Sequence, residues 1–323
     1  MSRRELPEAI RAIQRELASQ NFASLAEAQA FLDRRMSRYN ATPQQELGGL
    51  SPRHMFALLD GDWDRSGPLR LNPDLRPSEV ERSVLVVNAR RLLEALADAR
   101  GVRVTGRGNL PRGFVAELVR RLSWASEPWE GPVQREQEVW PLHVTRVVLE
   151  LAGLVARRGG RARVTRRGAA LASADRAGEL YVTLFRAYFR TFNLAYLDRL
   201  PAESDEQHLL PFALWSLSRL ESSWRGAAKL AERLMPVDYV RRARAREDDL
   251  IEPLYPVIRR VIEPLADFGL LERRLPPGDG HAVPRVAEFR PADLVARFLS
   301  FDFGDLGAPP PPEPPHRSLR LAR

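Results

Sequence analysis

Two adjacent glycines, Gly159 and Gly160, sit between short alternating segments, residues 154–157 and 161–165. Few structures accommodate that arrangement. A glycine pair between such segments signals a β-hairpin, because the tight turn needs positive φ, which glycine adopts without a steric penalty. Upstream, residues 142–152 carry helical apolar spacing and stop at Gly153; downstream, a helix restarts near Gly168. A similar phrase occurs earlier in the chain: VRVTGRGNL over residues 102–110, against ARVTRRGAAL over residues 162–171. It too follows a helix-patterned run, residues 84–99, ended by Gly101. The pattern predicts the return strand of a hairpin and the start of the next helix, used twice. In the first occurrence nothing between Ala99 and Gly101 can pair with residues 102–105, so that hairpin is truncated or its partner strand lies elsewhere.

The segment LELAGLVARRGGRARVTRRGAAL, residues 149–171, resembles the helix end, first wing strand, wing tip, second strand and following helix of bacterial winged helix-turn-helix regulators. The resemblance implies a small fold in which a recognition helix is followed by a two-stranded wing. A third echo lies in IRRVIEPLADFGLLERRLPPGDGHAVPRVAEFRPADLVARFL. There residues 270–275 and 285–289 would form wing strands around a Pro-Gly-rich tip, with Pro264 kinking or ending the preceding helix. The phrase YNATPQQELGGLSPRHM, together with GRGNLPRGFV, is similar to an uncharacterised bacterial family, a likeness that implies no activity.

The expected fold is mainly α with short β-hairpins, as tandem winged-helix units around a central helical core. Residues 1–66 read as an N-terminal helical domain, with Ile10, Ile13 and Leu17 on one face and Leu25, Ala28 and Leu32 on another. Ser51-Pro52 has the makings of a helix start. Residues 80–200 hold the winged units and a central helix, 201–247 a helical connector, 248–303 the third unit, and 304–323 an extended, mobile Pro-rich tail. In the central helix Leu184, Phe185, Tyr188, Phe189 and Phe192 recur at helical spacing. That spacing favours burial over an exposed stacking platform.

Composition removes several kinds of chemistry. The chain has no cysteine, which excludes disulfides, thiolate nucleophiles and cysteine-ligated metals. Lys229 is the only lysine, and RGAAKLAERL offers no phosphate-loop or Schiff-base context. The five histidines, at 54, 143, 208, 281 and 316, show no ligand spacing, so neither a metal nor a cofactor is expected. No apolar run approaches the roughly 18 residues of a membrane span, and MSRRELPEAI lacks the apolar block of a signal peptide, so a cytoplasmic location is expected. The formal net charge of +8 and a pI near 10.5 favour polyanionic partners.

The hairpin is the leading candidate site. Arg157, Arg158, Arg161, Arg163, Arg166 and Arg167 fall within eleven residues that contain no acid, and guanidinium groups on a hairpin reach phosphates or a narrow minor groove. On the preceding helix Val144, Val147, Val148 and Leu151 share one face, which leaves His143, Arg146 and Glu150 on the other, the face a major-groove reader would present. The competing reading for both is an ordinary solvated surface.

His143-Val144-Thr145-Arg146 resembles the His-x-x-Arg piece of tyrosine recombinases, whose further arginines and nucleophilic tyrosine it lacks in any set order, Tyr239 notwithstanding. Asp60-Gly61-Asp62-Trp63-Asp64-Arg65 begins like a calcium loop and fails at Arg65 and Leu71, where glycine and glutamate are needed. The run Glu247-Asp248-Asp249 reads as the balance of a solvated helix. With no catalytic constellation, the expectation is a non-enzymatic protein that binds nucleic acid, DNA first, through the wing arginines. The alternative is an interaction scaffold whose winged units dock an acidic protein partner.

Overall fold

The structure is a computed structural model that describes residues 8–63, 67–124, 129–200, 205–245, 252–275 and 287–309. It is mainly helical with small antiparallel sheets. Helices α1 (Glu8–Ser19), α2 (Leu25–Ala41) and α3 (Pro52–Asp60) come first. Ser24 and Ser51 cap the second and third by accepting from the backbone N–H groups of Glu27 and His54, and Pro52 occupies the first turn of α3. Strand β1 (Leu69–Leu71) and the short helix α4 (Pro77–Val80) lead into the segment that carries the hairpin.

That segment runs α5 (Val84–Asp98), β2 (Val102–Arg103), α6 (Arg112–Val119), α7 (Trp140–Leu151), β3 (Val155–Arg158), β4 (Arg161–Val164) and α8 (Arg166–Leu171). The hairpin is present as expected, with Gly159 and Gly160 both at positive φ, 56° and 68°. The repeated phrase has a different meaning from the one its recurrence suggests. Residues 102–103 do not close a hairpin of their own; they pair antiparallel with β4, Val102 opposite Ala162 and Arg103 opposite Arg161. The two phrases are thus neighbours in one three-stranded sheet of order β2-β4-β3. The missing partner of the first phrase is the second.

Helix α9 (Ala177–Arg186) continues into a π-turn over Ala187–Thr191, closed by Phe192 N–H donating to the Ala187 carbonyl, and a 3₁₀ turn over Leu194–Leu197 follows. The expected central helix is therefore three pieces, broken where the chain must turn at Phe192 and Asn193. Its aromatic stripe is buried as the spacing indicates: Tyr181, Phe185 and Phe189 are fully enclosed, against Phe268 and Phe298 from the C-terminal part. Ring centroids lie 4.7 to 5.0 Å apart for Phe185 with Phe189, Phe268 and Phe298, mostly edge to face, the arrangement ring quadrupoles prefer.

The remaining elements are α10 (Leu210–Ser218), β5 (Arg225–Gly226), α11 (Ala227–Leu234), α12 (Val237–Arg244), α13 (Tyr255–Val257), a π-turn over Ile258–Ile262, α14 (Glu263–Asp267), β6 (Leu271–Arg274), β7 (Glu288–Pro291), α15 (Leu294–Phe298) and β8 (Leu299–Phe301). The expected irregularity at Pro264 takes the form of that π-turn; proline has no N–H to bond the carbonyl four residues back. Strands β6 and β7 pair as the third echo anticipates, the return strand starting three residues later than expected. The tip between them, residues 276–286, lies outside the described residues, as do Asp64, Arg65, the run 247–249 and residues 310–323 of the Pro-rich tail.

Strand β5 joins this second hairpin from the side of β7, giving the order β5-β7-β6. Helix, strand, helices and hairpin thus recur in the same order with the same strand arrangement. The correspondence extends to single backbone bonds. Gly153 and Gly269 end the helices at φ 69° and 79°. Leu154 N–H donates to the carbonyl of Leu149, as Leu270 N–H does to Leu265, and Thr165 N–H donates to Leu154 as Ala292 N–H does to Leu270. Counting from these glycines, Ala156 corresponds to Glu272 and Arg158 to Arg274.

Strands β1 and β8 pair antiparallel, Leu69 opposite Phe301, and so tie the segment after α3 to the C-terminal part. His54 adds to that tie. Its Nδ1 accepts from the Ser51 hydroxyl at 2.8 Å while Nε2–H faces the carbonyls of Leu306 and Gly307 at 3.2 Å. A second buried centre holds Arg260, bidentate to Asp198 at 2.7 Å and 3.2 Å from Glu206, which also accepts from the Tyr239 hydroxyl. No described helix is long and apolar enough to cross a membrane.

The turn between β3 and β4 needs two left-handed residues, and open space surrounds both glycines. Gly160→Val therefore meets backbone strain without a packing clash. Urea denaturation should report a loss of about 1–2 kcal/mol.

Candidate nucleic-acid interface

In a three-stranded sheet residues in register share a face, and successive residues alternate between faces. Val102, Val155, Ala162 and Val164 turn inward; Val102, Val155 and Ala162 are buried. The outward face follows by register. Arg103 lies opposite Arg161, Arg161 opposite Arg158, and Arg163 opposite Ala156. Arg103, Arg158 and Arg163 are exposed, and Arg161 is half-buried, its Nη2 donating to the Gly101 carbonyl at 2.5 Å. A row of three arginines thus crosses all three strands, with Arg163 beside it. None of the four has a carboxylate partner among the described residues.

The second sheet neutralises its arginines on the same scaffold. Where the first sheet has Ala156 opposite Arg163, the second has Glu272 opposite Arg290, joined at 2.5 Å. Where the first has Arg158 opposite Arg161, the second has Arg274 opposite Glu288, also at 2.5 Å. Trp224 covers this second face, with the guanidinium carbons of Arg274 and Arg290 4.5 and 4.7 Å from its ring centroid. The position corresponding to Trp224 in the first sheet is Gly101, over which the stem of Arg163 lies in place of a ring. Like charges directly opposite in a ladder are destabilising and unlike ones favourable, each by a few tenths to about 1 kcal/mol. The first sheet takes the unfavourable choice at both ends of its central arginine.

The other expected site residues divide. Arg157 lies on the inward register, 3.4 Å from Glu150, with its guanidinium against Gly108. Arg166 and Arg167 are exposed on α8, and Arg167 Nη1 donates to the carbonyl of Ala152 at 3.3 Å, a cation set at the C-terminal end of α7.

His143 and Arg146 do not form an exposed reading face. Both are 4% exposed, because α7 is covered on two sides and its polar side closes on Glu136. Glu136, itself 1% exposed, accepts from His143 Nδ1 at 2.8 Å, from Arg146 Nε at 2.6 Å and from the Leu110 backbone N–H. Arg146 also donates to Glu150 at 2.8 Å, and His143 Nε2 faces the Tyr196 hydroxyl at 3.0 Å. Leu151, expected inward with the valines, is exposed.

Burial works to raise the Glu136 pKa. The hydrogen bond from His143 and the charge of Arg146 outweigh it and hold the carboxyl below its ordinary range. For Arg146 burial works downward and Glu136 outweighs it, so its pKa rises. His143 and Arg146 thus go to one buried acid and Tyr239 to another, Glu206.

Arg103 belongs to the arginine row and went unnoticed in the sequence. Its signal was the alternation Val102-Arg103-Val104, legible as an outward position only once the partner strand is known. Among the described residues no group of three or more histidines and acids converges on a metal-sized site; Asp62 of the calcium-like phrase accepts from Gly67 N–H at 3.2 Å in a surface turn.

A family model described as the Y4jL N-terminal domain matches residues 81–177. The matched stretch spans α5 to α8, the whole of the first sheet and its helices. No curated protein matches the chain, and no solved structure matches it.

Removing one partner from a buried ion cluster leaves the others desolvated and uncompensated. Glu136→Gln should lower stability by about 3 kcal/mol at neutral pH. Because the folded pKa is depressed, this contribution is fully present above the ordinary value of 4.5 and disappears as pH falls through the lower folded value. The gap between wild type and variant in chemical denaturation should therefore close in acid.

Proposed function

We propose that the two corresponding segments are winged-helix units in tandem, and that the first binds nucleic acid, duplex DNA foremost, through the outward face of its sheet. The protein acts as a non-enzymatic binder. What supports the winged-helix reading is the order helix, strand, helices, hairpin, with the first strand beside the return strand of the hairpin, found twice.

The single observation that carries the binding reading is the row Arg103, Arg161, Arg158. A like-charged row costs stability when empty and becomes favourable when an anion lies across it, since guanidinium groups pair bidentately with phosphate oxygens. The second unit, with its acids in register and Trp224 on top, has no such demand. Arg163, Arg166 and Arg167 extend the basic surface beyond the row. The contacts are to backbone phosphate, because the side chains that would read bases from α7 are buried against Glu136. Affinity without strong sequence preference follows.

Phosphate neutralisation releases counterions, so affinity falls with salt in proportion to the contacts made. In anisotropy titrations of a labelled DNA duplex over a salt series, the triple substitution Arg103→Ala, Arg158→Ala, Arg161→Ala should flatten the log–log slope by about 2.7, three contacts at about 0.9 each. An unchanged slope would place the interface elsewhere. Binding of an acidic protein with no affinity for DNA would favour the scaffold reading instead.

A further inference from the structure

We infer that the loop between β2 and α6 is a second limb of the nucleic-acid interface. Its Arg107 and Arg112 engage phosphates beyond those on the arginine row, and the two limbs together take a double helix in preference to a single strand. This rests on the binding reading above and extends it to residues outside the sheet. Residues 99–116 contain four arginines and no acid. In the second unit β5 runs straight into α11, whereas in the first unit eight residues, 104–111, separate β2 from α6. The loop is thus an addition to the shared scaffold, made in the unit whose sheet is left unneutralised.

The loop is fixed at its start, middle and end. At its start Val104 N–H donates to the Gly160 carbonyl at 2.9 Å, which sets the loop against the hairpin tip. Thr105 then closes a tight turn, its N–H donating to the Asn109 carbonyl and its carbonyl accepting from Gly108 N–H, both at 2.8 Å. At its end Leu110 N–H donates to the buried Glu136. In the middle the Arg157 guanidinium lies on the backbone of Gly108, where φ is 79° and a Cβ would collide with it. Glu150, 3.4 Å from Arg157 Nε, also holds that guanidinium. Arg157, expected from the sequence to contact phosphate, is therefore a positioning residue that joins β3 to the loop.

The edge held in this way is basic and accessible. Arg107 and Arg112 are exposed, and neither has a carboxylate partner among the described residues. Space is open at Gly106 and Gly113, the glycines beside them. The backbone N–H groups of Gly106 and Arg107 donate to no described residue. A phosphate can therefore approach side chain and main chain together.

The chemistry of the surface selects the form of the partner. Proteins that hold single strands stack the bases on aromatic side chains. Residues 99–113 and 154–171 contain no Phe, Tyr or Trp, so neither limb offers a base a ring. A surface of guanidinium groups alone gains most from the partner with the most phosphate charge per unit length. That partner is the double helix, whose bases are already stacked on one another.

The test is an anisotropy salt series on a labelled duplex and on one of its strands alone. Arg107→Ala/Arg112→Ala should flatten the duplex log–log slope by about 1.8, two contacts at about 0.9 each, with an unchanged melting transition. The unsubstituted protein should bind the single strand about tenfold more weakly than the duplex, or weaker still. Arg157→Gln should flatten the duplex slope on its own and add nothing to the loop double variant, because it acts through the loop. A further loss of about 0.9 in that background would show a direct phosphate contact and overturn its positioning role. A duplex slope left intact by the loop variant, but flattened by the substitutions at Arg103, Arg158 and Arg161, would overturn the second limb and leave the row as the interface. Slopes unmoved by either set would remove both limbs. Equal affinity for strand and duplex would overturn the preference for a double helix.

Discussion

A carboxylate buried beneath α7 determines which surface of the first unit is left for a partner. Glu136 takes hydrogen bonds from His143, from Arg146 and from the Leu110 backbone, and through them turns the polar side of α7 inward. Without that acid the helix would carry an imidazole and a guanidinium into the interior with only the Tyr196 hydroxyl and Glu150 to meet them, at a desolvation cost set against the burial of the valines on the opposite side. With it, α7 packs on both sides, and the arginines left exposed next to it are those of the sheet and of α8. A helix that reads as a recognition helix in sequence is here a structural strut, and the strands beside it present the charge.

The two units show how one scaffold accommodates different electrostatic solutions. The helix-ending glycines, the hydrogen bonds that follow them and the strand order are the same, so the backbone sets where outward positions lie. The side chains then decide what those positions do. In the second sheet Glu272 and Glu288 neutralise Arg290 and Arg274 across the ladder, and Trp224 stacks over both guanidinium groups. In the first, alanine and arginine stand where the acids would be, and glycine where the tryptophan would be. A sheet under selection for stability alone has no reason to keep Arg158 opposite Arg161; a sheet that meets polyanions does.

Much of this was legible in the sequence, and the illegible parts have identifiable causes. The Gly159-Gly160 hairpin announces itself because turn chemistry is local. The burial of Phe185, Tyr188 and Phe189 follows from spacing, and the pairing of β6 with β7 from alternation around a Pro-Gly-rich tip. Strand β2 is two residues long, too short for any period, and its partner lies some sixty residues away, so its role as the third strand could not be read locally. Helical spacing placed His143 and Arg146 opposite the valines correctly, but opposite means exposed only when one face is covered. The acid that receives them sits in QREQEV, a polar run with no sign of burial. Arg103 escaped for a related reason, since an outward position is defined by a partner strand.

The central claim is that the open arginine face of the first sheet is kept at the expense of stability for an anionic partner. The most direct measurement is to give that sheet the charge pattern of its counterpart, Ala156→Glu with Arg161→Glu, and to follow folding stability and DNA affinity together. The account predicts a protein that is more stable by about 1 kcal/mol, from three new cross-strand pairs facing Arg163, Arg158 and Arg103, and that has lost most of its affinity for duplex DNA. A protein that binds DNA as well as before, or that loses stability as its charges become paired, would contradict it.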